Sequence, residues 1–206
     1  MTSATARLDA FTDAAFAFAV SLMVVGTSGQ VPDFAALLVT MNAIPSFAIG
    51  FTIIGMFWFA HVRWREFRGE GDWRSVLLTF ALVFAVLVYV HPLRAMASSF
   101  AAFLGGQTDR YGGHVADMFA IYGIGFVVMS CLVCAMFREA LRNPALGARR
   151  PAVEGESFIW LILATTGIAS TVITQIPAIA LFAPMLYATL PLTIGVFVRL
   201  WRWEES

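Results

Sequence analysis

The chain has 206 residues, of which 60% are hydrophobic and only 13% charged, and its mean hydropathy is +0.81. A soluble domain runs nearer 45–50% apolar and about 25% charged. The balance excludes a disordered chain, a basic nucleic-acid-binding domain and a disulfide scaffold, and points to an all-α integral membrane protein.

A helix needs roughly 20 apolar residues to cross about 30 Å of hydrocarbon. Six stretches read that way: about 10–26, 34–60, 76–96, 115–137, 158–173 and 177–200. They run continuously rather than alternating in polarity, which favours helices over barrel strands. They use most of the chain, so 1–206 reads as a single six-helix subunit with no separate extramembrane domain. The charges at the start of the first stretch and the lack of an A-x-A site read against a cleaved leader.

All thirteen basic residues are arginines, and their placement orients the spans. Eleven lie before the first stretch, after the second, after the fourth and after the sixth, leaving Arg94 and Arg110 on the opposite side. Cytoplasmic segments carry the arginine excess, so six transmembrane helices with both termini cytoplasmic are expected. Pro45 and Pro184 should kink the second and sixth spans, Pro177 should open the sixth, and Gly105 to Gly113 should form the longest external loop. No internal repeat stands out.

Ionisable groups inside such helices are costly and therefore candidates for function. Arg7, Asp9 and Asp13 crowd the start of the first stretch. His61 ends the second, one turn after Trp58. His91 and Arg94 flank Pro92, and His114 and Asp117 begin the fourth. None of these makes a nucleophile motif, a metal-protease motif or a carboxylate pair deep in a span, so no enzyme is expected. Cys131 and Cys134 lie one turn apart within hydrocarbon, where packing suits a thiol better than metal or redox chemistry.

The first stretch carries the densest signal. Thr12 and Asp13 could cap a helix start, and the Asp would complement the helix dipole. Further along, Ala14, Phe18, Ser21 and Val25 recur at steps of 4, 3 and 4, with Leu22 at the edge of that face. On the residues alone this is equally a packing face, with Ser21 bonded to its own turn.

Arg7-Leu8-Asp9-Ala10-Phe11-Thr12-Asp13 resembles the R-x-x-x-F-S-D mark of the transmembrane protein 175 potassium-channel family, with Thr in place of Ser. Trp58-Phe59-Ala60-His61 is similar to the family's W-x-x-H, and Pro92 stands where the family has a proline near a helix end. The resemblance implies a bacterial, multi-pass protein of the cell membrane that assembles as a homotetramer in lipid, needs no cofactor or metal and passes potassium ions. Nucleic acid is not an expected partner. The resemblance further implies a pore lined by the first helix of each subunit, without a T-V-G-Y-G filter. Phe18 would form the apolar constriction, with Leu22 and Val25 continuing the lining. Ser21 would supply a hydroxyl layer for selectivity. Arg7, Phe11, Thr12, Asp13, Trp58 and His61 would form the network holding that helix.

Several positions depart from the family pattern. Phe18 replaces the usual Ile or Leu, Ala14 replaces a Gly, and Thr79 stands where an Asn is expected. A proton-permeable channel on the same scaffold and a small-solute transporter remain the alternatives.

Overall fold

The structure, a computed structural model, describes residues 3–25, 34, 38, 41, 43–69, 72–104, 115–176 and 178–201. Pro177, Gly105 to Gly113, Arg110, His114, Arg202 and most of 26–42 lie outside the described residues, as does the side chain of Val25.

Among the described residues the fold is carried by α1 (Ser3–Val25), α2 (Ile44–Arg68), α3 (Trp73–Leu104), α4 (Val115–Ala140), α5 (Arg150–Thr174) and α6 (Leu190–Leu200). Helix α2 opens at Pro45, whose missing N–H suits a first turn. It therefore starts at that proline and is not kinked by it. A glycine with positive φ, Gly69, closes it and donates its N–H to Arg65 O at 3.1 Å. Helix α3 begins with Asp72, whose carboxylate accepts from the backbone N–H groups of Arg74 (3.0 Å) and Ser75 (3.2 Å). It continues past Pro92 to Leu104, so that proline is interior and not terminal.

The expectation of six membrane-crossing helices is not met. Among the described residues, four helical stretches are long and apolar enough to cross: Ile44–Arg68, Trp73–Ser99, Asp117–Ala140 and Pro144–Thr174. In α1, Arg7, Asp9 and Asp13 occupy the first half. Only the twelve residues from Ala14 to Val25 are free of charge, about 18 Å of helix. The last apolar stretch is broken into a 3-10 turn (Ala180–Phe182), a helical turn (Met185–Ala188) and α6, which has 11 residues. Pro184 and Pro191 each lack the N–H that a continuous helix would need. The six-crossing layout, and the placement of both termini in the cytoplasm that followed from it, do not stand.

Packing centres on α4 and α5, the most extensive helix pair, joined by α3, α2 and α1. Their closeness depends on glycine. A Cβ on Gly123 would collide with Thr171 Oγ1, and one on Gly167 would sit 2.7 Å from Val127 Cγ2. Lipid tails are as apolar as the core, so such close backbone contact, more than burial of apolar surface, holds helices together in a membrane. Phe57 of α2 fills the space between, with ring centroids 5.3 Å from Trp160 and 5.9 Å from Phe126.

One end of the bundle gathers the charges. Arg65 pairs with Asp9 at 2.8 Å, Arg68 with Glu139 at 2.6 Å and Arg63 with Glu156 at 2.8 Å. The last turns of α2 thus tie the starts of α1 and α5 to the end of α4. Glu139 is buried, and a buried carboxylate needs such a partner.

Candidate functional site

Helix α1 splits cleanly by face. Thr12, Phe16, Ala19 and Met23, at steps of 4, 3 and 4, are buried against α2 and α3. Ala10, Ala14, Ala17, Phe18 and Ser21 face outward, and Phe18 is 57% exposed. Leu22 is half-buried and packs on the core, so it borders this outward face and does not project from it. The outward face carries no charge from Ala14 onward. Its polar atom is the Ser21 hydroxyl, which donates to Ala17 O at 3.0 Å and keeps its oxygen lone pairs available.

The polar start of α1 is built against α2. Trp58 Nε1 donates to Asp13 Oδ1 at 2.8 Å. His61 Nε2 lies 3.3 Å from Thr79 Oγ1, and the imidazole is almost fully buried. Phe11 stacks at a tilt on Phe80 of α3, centroids 5.3 Å apart. Arg65 Nε donates to Asp9 Oδ1, and its guanidinium also lies 5.5 Å from the Trp64 ring centroid. Asp9, Asp13, His61 and Arg65 open onto a cleft of about 410 Å³, lined also by Thr5, Val62, Glu66 and Gly69.

Of the residues singled out in the sequence, Asp13 and Trp58 are in direct contact, and His61 and Phe11 reach α3. Thr12 is buried, and its hydroxyl donates to Leu8 O at 2.9 Å. It does not cap a helix start, because α1 begins nine residues earlier, at Ser3. Arg7 is exposed and joins no ion pair among the described residues.

Sequence reasoning did not single out the Asp9–Arg65 pair or Phe80 as partners. A signal was present: Asp9 precedes Asp13 by one turn, and Arg65 follows Trp58 by two, so each pair shares a helix face. Elsewhere, Cys134 is buried with its thiol 3.4 Å from Ser157 O, whereas Cys131 faces outward. No group of three or more His, Cys, Asp or Glu residues among the described residues could hold a metal ion.

Three comparisons bear on this arrangement. A potassium channel of Marivirga tractuosa is 30% identical over 152 residues, which cover 68% of this chain and 61% of that relative. The chain therefore spans less than two thirds of the relative's length. A crystal structure of a variant of the potassium channel MtTMEM175, in complex with a nanobody–MBP fusion protein, shares the fold. Its TM-score is 0.82 at 24% identity, over 94% of this chain and 92% of that one. The relatives are ion channels, not enzymes, and the apolar helices make this chain a multi-pass membrane protein. The family model described as "Endosomal/lysosomal potassium channel TMEM175" matches residues 7–92, from the first arginine of α1 to Pro92 of α3, and over those residues the chain is similar to that family.

Proposed function

We propose that residues 1–206 form one subunit of a potassium-permeable cation channel of a cell membrane. The subunit assembles as a homotetramer around a pathway lined by the outward face of α1. The observation that carries this reading is the split of α1: one face packed on its own subunit, the other uncharged and presenting Phe18 and Ser21. One short helix cannot enclose a pore, so the face needs copies of itself.

The chemistry follows from those two side chains. A ring of Phe18 side chains makes an apolar constriction, where an ion loses hydration water and gains nothing in exchange. Ser21 lies three residues on, about one turn. Its oxygens replace part of the hydration shell of a potassium ion. Val25 continues the lining, and Leu22 borders it. Arg7, Phe11, Thr12, Asp13, Trp58 and His61 hold α1 in place. The permeant potassium ion is the only ligand required, and the chain contains no T-V-G-Y-G segment to serve as a carbonyl filter.

The test is the reversal potential of the purified protein in planar bilayers under opposed potassium and sodium gradients. A value close to the potassium equilibrium potential, with single-channel steps, is expected. Slow, saturable tracer uptake without steps would replace the channel with a carrier. A reversal potential that follows the proton gradient would replace potassium with protons, for which Asp13 and His61 in the cleft are the groups at hand.

A further inference from the structure

Asp9 occupies one of the variable positions of the Arg7–Asp13 segment, and Arg65 lies beyond Trp58-x-x-His61. Their ion pair is nevertheless short, at 2.8 Å, and largely withdrawn from solvent, with the side chains 25% and 10% exposed. A further bond between α1 and α2 joins Trp58 to Asp13, so the two helices are tied at different heights.

The helices run antiparallel here. As the number falls from Asp13 to Asp9 on α1, it rises from Trp58 to Arg65 on α2. The step on α1 is four residues, about 6 Å, and that on α2 is seven residues, about 10.5 Å. The long guanidinium side chain closes the difference by reaching back. One bond leaves a helix free to roll about the point of contact, whereas two bonds at different heights on the same face oppose the roll. At about 100° per residue, Asp9 and Phe18 are nine residues and so about 180° apart around α1. Holding Asp9 against α2 therefore turns Phe18 directly away from α2.

We propose that the Asp9–Arg65 ion pair sets the rotation of α1, and with it the direction in which Phe18 and Ser21 face. Both are positioning residues. They act through the helix and do not touch the ion. The inference rests on the reading of α1 as the pathway-lining helix, and its test has one readout that does not depend on that reading.

The full chain is reconstituted with Asp9→Asn, Asp9→Arg, Arg65→Asp, Arg65→Lys and the double swap Asp9→Arg/Arg65→Asp. Potassium current is measured in each. In parallel, the same changes are placed in a background carrying Ser21→Cys, Cys131→Ala and Cys134→Ser. Labelling of Ser21→Cys by a membrane-impermeant methanethiosulfonate reagent then reports which way that face points.

Each charge reversal should change both the labelling rate and the current by about tenfold or more, the scale expected when a part-buried charge loses its partner. The double swap should return both towards the parent values. Arg65→Lys, which keeps the charge, should stay closer to the parent than Arg65→Asp. Asp9→Asn is the mild variant should a reversal fail to fold, and it should move both readouts in the same direction.

Unchanged labelling and current in Asp9→Asn overturn the proposal, as does a folded double swap that recovers neither. If no protein, the parent included, carries potassium current, the channel reading falls, and the labelling rates alone decide the positioning role.

Discussion

Phe18 and Ser21 bear most of the chemistry assigned to α1, and they differ in how a substitution would register. If Phe18 forms the proposed constriction, removing its ring in Phe18→Ala widens and wets it, so basal leak should rise by about tenfold or more in a folded assembly. Bilayer recordings at zero stimulus check this, and an unchanged leak moves the constriction elsewhere. Ser21→Ala takes away the hydroxyl oxygens but leaves the helix intact, because the lost bond to Ala17 O was local. The potassium-to-sodium permeability ratio should fall several-fold, while the ratio stays fixed if selectivity lies at another layer.

Asp72 makes a different kind of residue-scale statement. Slight desolvation opposes ionisation, but the backbone N–H groups of Ser75 and Arg74, with the nearby charges of Arg68 and Arg74, hold its carboxyl below the ordinary value of 3.8. A depressed folded-state value means the ionised form stabilises the fold. That contribution is complete above the ordinary carboxylate value and is lost as pH falls through the depressed one. Asp72→Ala should therefore lower thermal stability at neutral pH, and the gap to the parent should close in acid below the depressed value. Melting curves by circular dichroism across that range provide the check.

Helices α4 and α5 show what an element needs beyond an apolar composition. Their contact depends on Gly123 and Gly167, because a side chain at either position meets the facing helix. Gly123→Leu should destabilise the fold by about 1–3 kcal/mol, the usual cost of overpacking, and thermal unfolding in detergent measures it. Most of these elements were legible in the sequence. The long apolar runs of α3, α4 and α5 announce themselves, and α1 was recognisable from its polar start. The boundaries were less so. Pro45 reads from the sequence as a kink inside the second span, and only the conformation of the chain around Ile44 shows that it opens α2. The stretch 177–200 has the composition of a span, yet Pro184 and Pro191 leave it as short pieces. Apolarity reports solvent preference, whereas helix continuity depends on backbone donors that a hydropathy reading does not count.

The whole molecule is organised by charge at one end and by an unpartnered face along α1. The ion pairs of Arg63, Arg65 and Arg68 draw α1, α4 and α5 onto the end of α2. That makes α1 a fixed part of the subunit with its outward side left open. If four such sides meet, the purified protein should run at four times its 22.5 kDa chain mass, once bound detergent is subtracted. Multi-angle light scattering reads that directly, and a monomer at working concentration would remove the pathway altogether.

The sequence by itself determined that this is a helical membrane protein. Sixty per cent apolar residues with so few charges point to the membrane, where backbone groups must be satisfied internally, and long runs without alternation favour helices over barrel strands. It also marked out the polar groups of α1, because so few occur there. The tertiary structure decided the rest: that four stretches and not six among the described residues are long enough to cross, that Asp9 finds Arg65 across 56 positions of chain, and that Phe18 turns outward while Phe16 turns in. Periodicity places residues on a common face of a helix. Which way that face points depends on the neighbouring helices and on the bonds that stop it from turning.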